Sequence, residues 1–276
     1  MLAVDINLID KLSDKAKWVR RETLLIHKIA PGIRLASALS CVELLTVLYY
    51  GNIIKFNPRE IYAEDRDRFI ISKAHGVVSF YPILADLGFF DKEYLRQVGK
   101  EGSILGDIPD CSIPGLETIN GSLGQGLGVA CGLALALKRK ERKEKVFVLM
   151  GDGELNEGSV WEAIMFAGHH KLNNLILIID NNKICMLDHC KKILNLAPLD
   201  QKFKAFGWEA NKVNGHDVAA LYEKLSRLKK DESDFPKVLI ADTVKGKGVK
   251  RLEEDSLCHI KGLKPAEIDA LVLELG

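Results

Sequence analysis

The chain has no apolar run long enough to cross a bilayer. Its longest nearly apolar stretch, residues 127–137, holds 11 residues and two glycines, against the roughly 18 to 20 that a span requires. It has almost no excess of charge of either sign, with 39 Lys and Arg against 38 Asp and Glu. Nothing in that balance favours nucleic acid or an acidic membrane as a partner. Its six cysteines, Cys41, Cys111, Cys131, Cys185, Cys190 and Cys258, contain no C-x-x-C pair, which removes the common zinc and redox spacings. Cys185, His189 and Cys190 lie close in sequence but lack an evident fourth ligand, and are read as small core or loop residues. A secretory leader is not expected either. Asp5, Asp10 and Asp14 interrupt what would be its apolar region, and no small-residue cleavage site follows, so the chain reads as cytoplasmic.

What is present is the composition of a globular domain: 276 residues, 47% apolar and 28% charged. No repeat or Pro/Gly/Ser linker divides the chain, so residues 1–276 read as one domain. Short, fully apolar runs at 69–72, 146–150, 175–180 and 238–242 alternate with helical patterns at 40–50, 123–140, 157–171 and 265–275. Runs of this kind are parallel strands covered on both faces, so the expected fold is α/β, a parallel sheet with helices on both faces. The helix over 123–140 carries Gly124, Gly126, Gly128 and Gly132. Each interior glycine costs up to about 1 kcal/mol relative to alanine, so a close neighbour or a ligand is expected against them. A dinucleotide fingerprint over Gly124–Gly128 lacks the preceding strand that it needs.

The informative stretch is VFVLMGDGELNEGSVWEAIMFAGHHKLNNLILIIDNN, residues 146–182. Two apolar strands flank a helix, and each ends in a polar turn, one with Gly151, Asp152 and Gly153 and the other with Asp180, Asn181 and Asn182. Both turns therefore fall at the carboxyl edge of a parallel sheet, where such sheets place ligands. Asp152 and Asn182, with a nearby carbonyl, make a small set of hard oxygen ligands. Such a set suits Mg²⁺, which completes its shell with water and phosphates. Gly151 and Gly153 let backbone N–H groups approach those phosphates beside a helix start. The stretch reads as magnesium plus a diphosphate.

With G-D-G and N-N 27 residues apart, the pattern resembles the thiamine diphosphate motif, and GDGELNEGSVWEA resembles transketolase in particular. RDRFIISKAHG, PGLETINGSLGQGLG, FGWE, NGHD and TVKGKG follow in the family's order. The resemblance implies the N-terminal, diphosphate-binding domain. It assigns Mg²⁺ to Asp152, Asn182 and the carbonyl of Ile184, and the cofactor to Gly121, Ser122, Leu123, Asp152, Gly153, Glu154 and Asn182. Glu154 is expected to reach the diphosphate only through its backbone. Catalytic roles fall on His75, on Glu157 facing the partner domain's acid, and on His259, with Lys245 and Lys247 adding positive charge. His27, His169, His170, His189 and His216 read as surface or structural histidines. Two positions depart from the family: Arg34 and Asp107 stand where histidines are usual, in the substrate pocket. Arg34 pairs with Asp107 or holds an anion of an unusual substrate.

The family's pyrimidine-binding and C-terminal domains have no counterpart here. The resemblance therefore implies the N-terminal subunit of a two-subunit transketolase, forming a heterotetramer with a separately encoded C-terminal subunit. It would transfer a two-carbon ketol unit from a ketose to an aldose through thiamine diphosphate and Mg²⁺, acting on sugars or sugar phosphates. Alternatives are a subunit of the 2-oxo acid dehydrogenase or deoxyxylulose phosphate synthase type, and a non-catalytic subunit that keeps the fold.

Overall fold

The computed structural model describes residues 6–186 and 188–275; Asp5 lies outside them. Five parallel strands form one sheet: β1 (Arg68–Ile71), β2 (Val146–Gly151), β3 (Leu175–Asn181), β4 (Glu209–Asn214) and β5 (Lys237–Asp242), in the order β1-β2-β3-β5-β4. The four apolar runs are β1, β2, β3 and β5. The sequence pattern missed β4, Glu-Ala-Asn-Lys-Val-Asn, which is only partly buried. It lies at the sheet edge, where one side of the ladder is open and polar residues are tolerated.

Alternate residues of the central strands supply two cores, because successive side chains point to opposite faces. Phe147, Leu149, Ile176 and Ile178 pack under four helices: α1 (Ile6–Ile29), α3 (Val42–Tyr50), α4 (Val77–Asp86) and α9 (Val218–Lys230). Short α2 (Leu35–Leu39) precedes α3. On the other face Val146, Val148, Met150, Leu175, Leu177 and Ile179 meet α5 (Gln125–Arg139), α6 (Gly158–His169) and Phe203 of α8 (Leu199–Ala205). Short α7 (Cys190–Ile193) lies between β3 and α8. After β5 come α10 (Lys250–Glu253) and α11 (Pro265–Leu275). Leu252, Cys258, Leu263 and Ile268 pack on Leu24, Leu35 and Leu39, which folds the last segment back over α1 and α2. Among the described residues no helix is long and apolar enough to cross a membrane.

The glycines of α5 divide into two pairs. Gly124, at φ +83°, would place a Cβ 2.7 Å from that of Glu157, and Gly126 would place one 2.4 Å from the Ser72 hydroxyl. Close approach to the start of α6 explains the first, and to the residue that follows β1 the second. Gly128 and Gly132 face open space, so the close neighbour expected there is not among the described residues.

Candidate active site

Parallel strands deliver their carboxyl ends to one edge, and three turns converge there. β1 runs into Ser72, Lys73 and a single 3₁₀ turn containing His75, β2 into a turn beginning at Asp152, and β3 into Asn182. Beneath them lies a buried polar network. Asp180 is ion-paired with Lys73 and accepts hydrogen bonds from Ser40 Oγ at 2.6 Å, from Thr243 Oγ1, and from Asn182 Nδ2 at 3.3 Å. Lys73 Nζ also donates to the Ser37 carbonyl and to Ser40 Oγ, each at 2.7 Å. Burial pushes the Asp180 carboxyl up, but the Lys73 ammonium and the hydrogen bonds outweigh it and hold the group below its usual range. Burial likewise works against the Lys73 charge, and Asp180 restores it and raises it above the ordinary value.

Among the described residues Asp152 has hydrogen bonds but no ion pair, and the Lys245 charge offsets its burial only in part. It is 6% exposed and accepts from the backbone N–H of Gly153 at 3.0 Å and of Lys183 at 2.7 Å, and from Cys190 Sγ at 3.5 Å. No Lys, Arg or His side chain lies within ion-pair distance among the described residues. Burial first, and then the nearby Asp180 charge, push its pKa up to about 6. Asn182 Oδ1 accepts from Ile184 N at 3.2 Å, which turns the amide oxygen toward the same turn. The Ile184 carbonyl accepts from Lys245 Nζ at 2.7 Å and keeps a second lone pair. Lys245 is 4% exposed and, among the described residues, donates only to the carbonyls of Ile184 and Cys185. Burial, and then Lys73, depress its pKa. Among the described residues no three His, Cys, Asp or Glu side chains form a metal cage. The Asp152–Asn182–Ile184 group, with a single carboxylate, is not a cage of that kind.

Gly153 would place a Cβ 3.0 Å from that of Cys185, so the turn is tight where backbone must be bare. Glu154 points inward: its Oε1 accepts from Ser72 Oγ and from Gly124 N at 2.9 Å, and its Oε2 is buried with no hydrogen-bond partner among the described residues. Burial raises its pKa. A cavity of about 790 Å³ opens beside Asp152, lined by Lys183, Cys190, Lys212 and Asp242 among others.

The second wall of the crevice holds two histidines. His75 Nε2 stands 3.8 Å from Asp107 Oδ2, and its ring centroid is 5.4 Å from that of His259, whose Nδ1 lies 3.2 Å from Ser37 Oγ. Burial is the main cause that lowers both pKa values, to about 3 for His259. Arg34 and Asp107 do meet, but through the Arg34 backbone N–H, 3.4 Å from Asp107 Oδ1. The side-chain pair offered by the sequence does not form. Lys245 acts on His259 as expected, whereas Lys247 turns away to Glu253 at 3.7 Å.

Three of the expected cofactor residues lie on the surface: Gly121, Ser122 and Leu123 are exposed, the last at 43%. Glu157, also exposed, is the N-cap of α6 but makes no capping bond with its side chain. His27 and His216 hold structural hydrogen bonds, to Leu263 N at 3.1 Å and to Glu43 at 3.0 Å. Sequence reasoning missed Lys73, Ser37, Ser40 and Thr243. Lys73 sits in the SKAHG motif, and a lysine bounded by an apolar strand was the available signal.

Residues 28–276 match the family described as transketolase, thiamine diphosphate binding domain. An apulose-4-phosphate transketolase subunit from Actinobacillus succinogenes is 38% identical over 268 residues, 96% of each chain. The 6-deoxy-6-sulfo-D-fructose transketolase subunit of a Clostridium species is 34% identical, over 96% of each chain. Among solved structures, transketolase from Campylobacter jejuni superposes with a TM-score of 0.89 at 30% identity, covering 98% of this chain and 43% of that one. The chain thus spans less than half of a full-length transketolase and nearly all of its subunit relatives.

Proposed function

The chain belongs to the transketolase family, matched over the thiamine diphosphate binding domain, and from that premise we propose that it is the N-terminal, diphosphate-binding subunit of a two-subunit transketolase. In a cytoplasmic heterotetramer with a separately encoded C-terminal subunit, it transfers a two-carbon ketol unit from a ketose to an aldose. The subunit designation of its relatives supports a partner. So does the lip of Gly121, Ser122 and Leu123, which stands exposed among the described residues. Residues 1–276 form the single domain that supplies this half.

The observation that carries the reading is the only partly compensated carboxylate of Asp152 beside the Asn182 amide and the Ile184 carbonyl. A buried carboxylate without a cation is expensive, and Mg²⁺ bound by these three oxygens removes the cost while leaving positions for diphosphate and water. Gly153 gives the diphosphate a bare backbone, and Lys245 is a buried ammonium with no carboxylate of its own. Glu154 holds the turn through Ser72 and Gly124, and reaches the cofactor only through its backbone. When bound, thiamine diphosphate supplies the nucleophilic carbon and electron sink for cleaving and forming a carbon–carbon bond. His75 and His259, kept neutral at pH 7, can give or take a proton at the substrate oxygens. Glu157 faces the partner, and Arg34 and Asp107 contact the substrate.

Calorimetry on the co-purified complex tests this directly. Thiamine diphosphate should bind only with Mg²⁺ present, and Asp152→Ala should abolish that binding. Full retention of binding in the variant refutes the metal assignment. His75→Ala should bind cofactor normally and turn over slowly.

A further inference from the structure

Three cations influence both crevice histidines: Arg34, Lys73 and Lys245. Two are committed, Lys73 to Asp180 and the Ser37 and Ser40 oxygens, and Lys245 to the carbonyls of Ile184 and Cys185. Arg34 is not. It is half-buried just before α2, its backbone N–H holds Asp107, and its guanidinium has no hydrogen-bond or ion-pair partner among the described residues.

We propose that Arg34 determines specificity by taking the carboxylate of a substrate that also carries a reacting ketone or aldehyde group, while Asp107 accepts the hydrogen bond of the hydroxyl next to that carboxylate. The proposal rests on the reading above for the place of the substrate, and adds its chemical class. A guanidinium presents a planar fork that matches a carboxylate with two parallel hydrogen bonds. A neutral sugar end leaves those donors poorly matched in a partly desolvated wall. Asp107 would repel a bare anion, but its position limits the repulsion. Oδ1 is tied to the Arg34 backbone and Oδ2 faces His75 at 3.8 Å, too far for a hydrogen bond. Its remaining capacity is that of an acceptor, which a hydroxyl fills. An anion without a hydroxyl, or a hydroxyl without an anion, satisfies only one of the two side chains, and the pair therefore discriminates.

The same guanidinium could meet the cofactor's diphosphate, and the test separates the two anions. The protein is titrated as purified from its own cells, partner included, with glycerate and with glycerol. Glycerate should bind at least about tenfold more tightly, the size of one charge-assisted hydrogen bond. Arg34→Gln should bring the two ligands within about threefold, and Arg34→Lys should keep an intermediate preference because charge survives without the fork. Thiamine diphosphate affinity should change by less than about threefold in Arg34→Gln. Equal binding of glycerate and glycerol by the wild type overturns the proposal, as does a preference that survives Arg34→Gln. A parallel loss of thiamine diphosphate affinity also overturns it, by assigning Arg34 to the cofactor. Glycerate binding needs no turnover. A protein that keeps the preference but lacks ketol transfer would defeat the functional reading and leave this one intact.

Discussion

Asp180 and Asp152 are carboxylates at the ends of adjacent strands, both buried, and the chain treats them oppositely. Asp180 is surrounded by Lys73, Ser40, Thr243 and Asn182 and is held ionised. Asp152 receives two backbone N–H groups, the Cys190 thiol and no ion-paired cation, and its pKa is pushed up to about 6. A fold completes the polar groups that only support it. Those left incomplete mark where something else belongs, and the Arg34 guanidinium and the exposed Leu123 follow the same pattern along the same edge.

Breaking the completed group should have the largest effect. Asp180→Ala leaves the Lys73 ammonium buried without its partner, and should lower stability by about 3–5 kcal/mol in urea unfolding. Stability near that of wild type would place the pair outside the supporting network. Removing the incomplete group should do the reverse. Asp152→Ala should leave unfolding within about 1 kcal/mol of wild type, while Mg²⁺-dependent cofactor affinity falls by more than about 100-fold. If the stability loss matched that of Asp180→Ala, the contrast would fail.

Glu157→Gln sharpens the comparison at the rim. An exposed side chain without a capping bond should contribute within about 0.5 kcal/mol to stability, yet its loss should slow turnover of the complex. A stability loss with normal turnover would make it a structural residue. The smallest effect belongs to a completed group at the surface, Asp86, which accepts from Lys15, Lys92 and Tyr50 and has its pKa lowered to about 2. Burial opposes that shift and the three partners produce it. A depressed folded pKa means stability present above the unfolded value, near 4, and lost as pH falls through about 2. Asp86→Asn should therefore cost at most about 1 kcal/mol at pH 7, with the difference vanishing at the acid end. A difference constant with pH would show that charge is not its source.

Much of this was legible in the sequence for a physical reason. Strands buried on both faces must be apolar throughout, so β1, β2, β3 and β5 stood out, and the polar turns ending β2 and β3 placed Asp152 and Asn182 on one edge. β4 was hidden because an edge strand is free to carry Glu209, Asn211 and Lys212. Lys73 and Asp180 are 107 residues apart, and no local pattern links them. The Arg34–Asp107 contact was anticipated, but its form was not, since sequence position does not tell a guanidinium contact from a backbone one. The outward glycines, Gly128 and Gly132, read as a demand for a neighbour, and the described residues do not supply it.

Native mass spectrometry of the protein captured from its own cells tests the central claim most directly, because one spectrum reports cofactor and subunits together. The account predicts a complex of this chain with a second subunit carrying the pyrimidine-binding and C-terminal domains, holding thiamine diphosphate and Mg²⁺. A homomer that takes up neither, even after incubation with both, would contradict it.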